Sequence, residues 1–348
     1  MKEEHDSGVA YLNLEEGAVA LPRAQAPAAQ SRGSGPSRTL LLGDSSEHPT
    51  RAGSTHPTVR GLIPGQVVAE RYRVERWLGA GGSAVVHEVM DLVCGERLAL
   101  KVLAVPGADA SQIARFRQEV EHARGLSHPN IVRVFDVGMD GDRHFLTTEL
   151  LVGQDLKRRL MGPRPTLAEA LRWLTHAAAA LEHAHGCGVL HRDVKPGNLF
   201  VTKPGILKLM DFGLAKSAHV AGVTAQGAVL GTPEYMAPEQ ISGAHPMSPA
   251  TDLYSLGVVA YELFTGQLPF RHPQAVPLMF LHVQQPPTPP RTLTPNLPEP
   301  FERVVLKLMR KHPDERYPSA ALLRADLSRL WPLALPPKAP SVGTTRSP

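Results

Sequence analysis

Cysteine is nearly absent. The two present, Cys94 and Cys187, lie far apart with no C-x-x-C spacing, which excludes a disulfide framework and a thiolate zinc site. A reducing, cytoplasmic setting is expected. Long apolar runs are missing as well. A membrane-spanning helix needs about 18 consecutive apolar residues, and the nearest approach, residues 256–264, is far shorter and contains Glu262. The chain opens Met1-Lys2-Glu3-Glu4-His5-Asp6 with no apolar stretch of signal-peptide type behind it. Nor is there a strong excess of one charge: a net +4 spread over 348 residues is a weak argument for a nucleic-acid partner, and none is expected. No internal repeat stands out.

What is there suits a soluble globular protein. Hydrophobic residues make up 42% and charged residues 20%, near globular averages and enough for a sizeable core. The length allows one large two-lobed domain with residues to spare, or two ordinary domains. Residues 1–65 are rich in Ala, Pro, Ser and Gly, and their few apolar residues follow no sustained period, so a disordered N-terminal segment is expected. The Pro-rich stretch 333–348 reads as a loose tail. Between them, 66–332 reads as one domain.

Its first part, 72–150, carries short β-type runs at 72–78, 84–91, 97–103, 132–138 and 144–150, divided by turn residues. Residues 111–125 interrupt them, with Ile113, Phe116 and Val120 at helical spacing. From 151 to 332 the texture is helical. Thr166-Leu167-Ala168-Glu169 matches a capping box, after which Leu167, Leu171, Leu174, Ala178 and Leu181 share one face. Residues 252–263 are apolar nearly all round, as in a helix buried on every side. The expected class is α+β: a small antiparallel sheet lobe with one helix, then a larger helical lobe.

Several segments carry chemistry. In Gly79-Ala80-Gly81-Gly82-Ser83-Ala84-Val85-Val86, glycines let main-chain N–H groups approach phosphate oxygens. A dinucleotide-type loop would open a helix at once, whereas Val85, Val86 and Val89 continue as a strand, so a hairpin over phosphates is the better reading. Ala99-Leu100-Lys101-Val102 sets a lysine in an apolar strand, where burying even a neutral polar group unpaired costs roughly 2–7 kcal/mol. Lys101 therefore needs an anionic partner, and Glu119 is the candidate, beside the apolar face of the 111–125 helix. His191-Arg192-Asp193-Val194-Lys195-Pro196-Gly197-Asn198 is the most specific stretch. Asp193 suits accepting a proton from a hydroxyl, Lys195 suits neutralising a phosphoryl group, and Asn198 suits a metal. Asp211-Phe212-Gly213 adds a second metal-binding carboxylate. An ordinary Asp-rich turn explains any one of these residues but not the ordered set.

In these motifs, over about 72–330, the chain resembles the eukaryotic-type (Hanks-type) serine/threonine protein kinases of the bacterial branch. The resemblance implies a two-lobed fold, ATP and Mg2+ (or Mn2+) as cofactors, protein substrates bearing Ser or Thr, and a role in signal transduction. It gives Gly79, Gly81 and Val86 to the phosphate loop, with Ala80, Gly82, Ser83 and Ala84 completing it, and Ala99 to the adenine pocket. Lys101 falls on the α/β-phosphates with Glu119 as partner. Asp193 becomes the catalytic base, Lys195 the phosphoryl-contacting lysine, and Asn198 and Asp211 the metal ligands. Glu239, in Ala237-Pro238-Glu239, closes the activation segment and pairs with Arg316, while Asp252 opens the helix that anchors the catalytic loop. Thr148 stands at the gatekeeper position, its small side chain leaving space behind adenine, and main chain from Glu149 to Leu151 faces the base.

Lys195 after Asp193, together with Gly231-Thr232-Pro233-Glu234-Tyr235, resembles the Ser/Thr branch. Thr224 is the expected phosphorylation site, modified by a second copy of the chain. Thr232 is the competing hydroxyl and is expected instead to contact Asp193 and Lys195. Ala84 departs from the family's third glycine, a position that tolerates a small Cβ. Three rival readings explain less. A binding module on the same fold should lack Lys101, Asp193 or Asp211; a small-molecule phosphotransferase should lack the 231–239 segment; an interaction protein working through its Pro-rich ends leaves the catalytic set unexplained.

Overall fold

The computed structural model describes residues 62–81, 84–103, 124–141, 143–212 and 232–335. Six strands form the first sheet: β1 (Val67–Val68), β2 (Tyr72–Gly81), β3 (Ala84–Asp91), β4 (Arg97–Leu103), β5 (Val134–Asp140) and β6 (Arg143–Glu149). Their order is β1-β2-β3-β4-β6-β5, every neighbour antiparallel. Directly opposed residues share a face and successive ones alternate. Pairing of Val86 with Lys101 and of Ala99 with Thr148 therefore collects these four on one face. The opposite face supplies Val89, Leu98, Leu100, Val102 and Phe145 to an apolar core.

Leu62 closes that core at 6% exposure. Of residues 62–65, expected in the loose N-terminal segment, Leu62 is buried and Gly65 is tied to the sheet while Ile63 stays exposed: Gly65 N–H donates to Val74 O (2.8 Å), and Gln66 O accepts from Val74 N–H (2.8 Å). The sheet leaves an uncovered apolar end, and Leu62 fills it. At the other terminus the fold extends slightly past the expected boundary at 332, because a short helix over Trp331–Ala334 buries Ala334.

The helical lobe begins with β7 (Gly153–Asp155) and α1 (Leu156–Leu160), then α2 (Leu167–Gly186). Gly153 has φ +156°, and a Cβ there would run into the Val201 carbonyl, so the crossing between lobes requires glycine. The capping box at α2 is made: Glu169 N–H donates to Thr166 Oγ1 (3.2 Å) and Thr166 N–H to Glu169 Oε2 (2.8 Å). Leu171, Leu174, Ala178 and Leu181 are buried and Leu167 packs beside them. Strands β8 (Leu199–Thr202) and β9 (Leu207–Leu209) complete a second sheet with β7.

Next come α3 (Pro238–Ser242) and α4 (Pro249–Thr265). In α4 every residue from 251 to 261 is buried, as the all-round apolar sequence predicts. A Cβ on Gly257 would lie 2.6 Å from Leu308 Cβ, so glycine permits this packing. Helices α5 (Ala275–Gln284), α6 (Pro290–Leu293), α7 (Glu299–Leu308), α8 (Ala320–Arg329) and α9 (Trp331–Ala334) surround it. The 111–125 helix falls outside the described residues except for its last two positions.

Candidate active site

The loop between α2 and β8 is held from beneath by Asp252, the first acidic residue of α4. Its Oδ2 accepts from His191 N–H (2.9 Å) and from His185 Nε2 (2.8 Å), and its Oδ1 from Arg192 N–H (2.7 Å). Burial alone would push this carboxyl up; the bonds from His185 and from His191 N–H outweigh it and hold the group below the usual carboxylate range. The donors also restrain Arg192, whose φ of +64° is a left-handed conformation rarely adopted outside glycine. Gln240 adds a further tie, donating through Nε2 to Arg192 O (2.9 Å).

His191 connects this loop to the next. Its Nδ1 accepts from Asp193 N–H (3.2 Å), which assigns the proton to Nε2, and Nε2 donates to Met210 O (2.7 Å). Met210 N–H donates in turn to Asn198 O (2.9 Å). Asp211 follows with φ +59°, and the Phe212 ring meets the His191 ring edge-on at 4.8 Å. Asp193 and Asp211 thus stand on two loops stitched together through one histidine and one main-chain segment.

Around Asp193 the side chains converge. Asn198 Nδ2 donates to Asp193 O (2.8 Å) and Oδ2 (3.0 Å). Lys195 Nζ lies 3.1 Å from Asp193 Oδ2 and donates to Thr232 Oγ1 at 3.0 Å. From the sheet, Lys101 Nζ reaches Asp211 Oδ2 at 2.8 Å across the two lobes. Asp211 is thus the anion that satisfies Lys101 among the described residues. Glu119, the expected partner, lies outside them, as do Gly82, Ser83 and Thr224.

Oxygen donors dominate where a cation would sit. With Nδ2 of Asn198 engaged twice, its Oδ1 accepts no hydrogen bond among the described residues and is the atom left for a metal. The Asp211 carboxylate and this amide oxygen fit a hard ion such as Mg2+, which takes one or two carboxylates and fills its remaining positions with water and phosphate oxygens.

The hinge narrows one expectation. Glu149 N–H donates to Arg133 O (3.0 Å), so of the main chain expected to face adenine, this N–H is already committed. The ladder ends at Glu149, whose carbonyl accepts from Thr148 Oγ1 (3.4 Å), and the main chain at Leu151 lies beyond it. Leu151 packs on a small apolar cluster of Val132, Phe200 and Met210, under the face that carries Val86, Ala99 and Thr148.

The segment after Thr232 is anchored just as firmly. Glu239 and Arg316, both side chains fully buried, pair twice, Nη1–Oε1 at 2.7 Å and Nη2–Oε2 at 2.8 Å. Arg316 also donates to the carbonyls of Arg310, Ala250 and Lys311. Breaking such a pair strands a buried charge at a cost of about 3–5 kcal/mol. Tyr235 donates to Glu262 Oε2 (2.7 Å) and Ser255 Oγ to Tyr235 O (2.8 Å). His185, Gln240 and Met210 went unnoticed in the sequence because their contributions are spatial; the one available signal was a histidine at the end of a long helix.

Residues 72–327 match the family described as protein kinase domain, and the chain belongs to that family. Among its relatives are the serine/threonine-protein kinase PknA of Mycobacterium tuberculosis, 40% identical over 73% of this chain and 60% of its own length. The serine/threonine-protein kinase PknB of Mycobacterium leprae is 37% identical over 80% of this chain and 45% of its own. PrkC of Bacillus subtilis, also named a serine/threonine-protein kinase, is 33% identical over 76% and 41%. The chain thus spans about half the length of the curated relatives it matches. Among the described residues no helix is long and apolar enough to cross a membrane.

Proposed function

We propose that the chain is a serine/threonine protein kinase that transfers the γ-phosphoryl group of ATP to protein hydroxyls, with residues 66–332 as its catalytic domain. The observation that carries this is Lys195, whose ammonium bridges Asp193 Oδ2 and Thr232 Oγ1. It ties the base to the segment that shapes the substrate groove and leaves a compact site suited to short hydroxyls.

In this reading Asp193 orients the substrate hydroxyl and takes its proton, and Lys195 neutralises charge on the moving phosphoryl group. Lys101 binds the α/β-phosphates beneath the loop 79–84, with Glu119 as its second partner. Val86, Ala99, Thr148 and Leu151 surround adenine, whose edge meets main chain at Glu149 and Leu151. Asn198 and Asp211 hold Mg2+, which when bound supplies positive charge to the phosphate oxygens. Asp252 and the Glu239–Arg316 pair keep the loops in place. The setting is cytoplasmic signal transduction, and a second copy phosphorylates Thr224, whose phosphate is then held by Arg192.

Radiolabelled ATP, Mg2+ and a generic protein substrate test this directly. Wild-type protein labels serine and threonine. Asp193→Asn binds ATP with near-normal affinity but loses several kcal/mol of transition-state stabilisation, a factor of ten for each ~1.4 kcal/mol. Turnover of Asp193→Asn within a few-fold of wild type would refute the assignment.

A further inference from the structure

A cleft of about 220 Å³ opens beside the hinge, lined among others by Ser127, His128, Arg133, Glu149 and Lys208. Alternation along β6 directs Glu149 to the opposite face from Thr148, so this cleft is separate from the proposed nucleotide pocket. At ~30 Å³ per water in the liquid, it has space for a tetrahedral anion with part of its hydration.

Its walls are firmly built. Asn130 sews the 127–129 loop to β9: its N–H donates to His128 Nδ1 (3.1 Å), its Nδ2 to Leu207 O (2.8 Å), and its carbonyl accepts from Leu209 N–H (2.8 Å). Lys208 sits between the last two of these contacts. Glu149 Oε1 accepts from Lys208 Nζ (2.7 Å) and from Arg133 N–H (2.9 Å).

The charge count is unequal. One carboxylate serves two permanent cations, and it is paired with Lys208. The Arg133 guanidinium lies over the Phe135 ring at 5.1 Å and has no carboxylate partner among the described residues. Lys208, its side chain only 17% exposed, has one acceptor for three N–H groups. Since His128 Nδ1 accepts, its proton is on Nε2, a further donor. Burial, together with the positive charge of Arg324 and Lys208, lowers the pKa of this imidazole against the opposing pull of Glu182, so it remains neutral at physiological pH.

We propose that this cleft binds a phosphate group, with Arg133 and Lys208 supplying the charge and Ser127 and His128 additional hydrogen bonds. A phosphate presents several acceptors to a fork of guanidinium donors. Such a group reaches the site either as free orthophosphate or on a phosphorylated side chain of a polypeptide.

Calorimetric titration of the full chain, with Mg·ADP present to occupy the nucleotide site, tests the assignment using orthophosphate and a phosphothreonine peptide as separate probes. Saturable binding of at least one probe is expected, weakened about tenfold or more by Arg133→Gln and by Lys208→Gln, with ADP affinity in both variants showing that the fold is intact. Binding of the peptide alone identifies a phosphorylated chain as the source, and binding of orthophosphate alone identifies the free ion. Binding of neither probe, or equal binding by wild type and both variants, overturns the proposal. No catalytic turnover is measured, so this outcome is independent of whether the chain phosphorylates protein.

Discussion

Replacing Asp252 with asparagine leaves one oxygen for three donors. Oδ2 serves His191 N–H and His185, and Oδ1 serves Arg192 N–H. Whichever way the amide turns, its NH2 group faces at least one main-chain N–H. Hydrogen bonds to charged groups contribute about 1.5–3 kcal/mol each, and the left-handed conformation of Arg192 costs about 1–3 kcal/mol that these bonds now offset. The expected loss of stability is about 2–4 kcal/mol. At 2–4 °C per kcal/mol for a domain of roughly this size, Tm falls by roughly 4–16 °C. Asp193 follows Arg192 directly, and a displacement of about 1 Å in a reacting group costs about a hundredfold in rate. Phosphoryl transfer by Asp252→Asn should therefore drop by about that factor, with nucleotide affinity changed only a few-fold. Thr265→Val is the control, since the Thr265 hydroxyl, at the far end of the same helix, bonds main chain of Tyr261 and Gln267, facing both carbonyls and accepting from Gln267 N–H. It should lower Tm without lowering the rate. If both variants lose rate only in proportion to stability, Asp252 is merely a core anchor and the positioning role is wrong.

Other consequences follow from burial and charge. Leu62→Ala should destabilise the protein by about 2–4 kcal/mol, read from denaturant midpoints; no shift would mean that residues 62–65 contribute nothing to the sheet lobe. Burial lowers the pKa of His87 and His176, and burial with the Lys311 charge takes His282 down to about 3. Their unfolded values lie near 6.5, so the unfolded chain binds more protons below that pH, and stability present above it is lost as pH falls. His282 alone contributes up to about 1.4 kcal/mol per pH unit between 6.5 and 3. Tm measured at pH 7.5 and 5.5 should fall, and His282→Gln should flatten the slope. Thr224→Ala should slow the enzyme, and mass spectrometry of active protein should find Thr224 phosphorylated; an unmodified Thr224 with an unaffected rate counts against that site.

Much of the fold was legible because the controlling signals are local. Strands 84–91 and 97–103 have the bounds that alternation and turn residues predict. Thr166 and Glu169 announce a helix start three residues apart, and the all-round apolar 252–263 stretch could only be a central helix. Legibility failed where partners are remote. Leu62 and Ile63 are too few to form a pattern, and Leu62 is buried only because the sheet above it has an open end. Lys101 advertises the need for an anion but not which one, and the structure supplies Asp211. Glu149 looked like a hinge residue valued for its main chain. That its carboxylate gathers Arg133 N–H and Lys208 depends on β9 lying alongside, which no sequence window contains.

The two strained non-glycine residues of the site, Arg192 and Asp211, are held in different ways, and this divides the site into a fixed half and an adjustable half. Arg192 is fixed by Asp252 and Gln240, both on helices of the larger lobe and both buried. Asp193, Lys195 and Asn198 inherit that rigidity, because their spacing is set within eight residues of one loop. Asp211 takes its main-chain position from the link of Met210 to Asn198 and His191, but its side chain bonds a lysine of the other lobe. Lys101–Asp211 is the contact of this set that crosses between lobes, so it changes when the lobes move and the others do not. Electrostatic stabilisation of a transferring group works best from charges that need no reorganisation, which is the condition of the fixed half. Capture and release of a nucleotide need the opposite, and the Lys101–Asp211 pair is where the geometry of the site allows it.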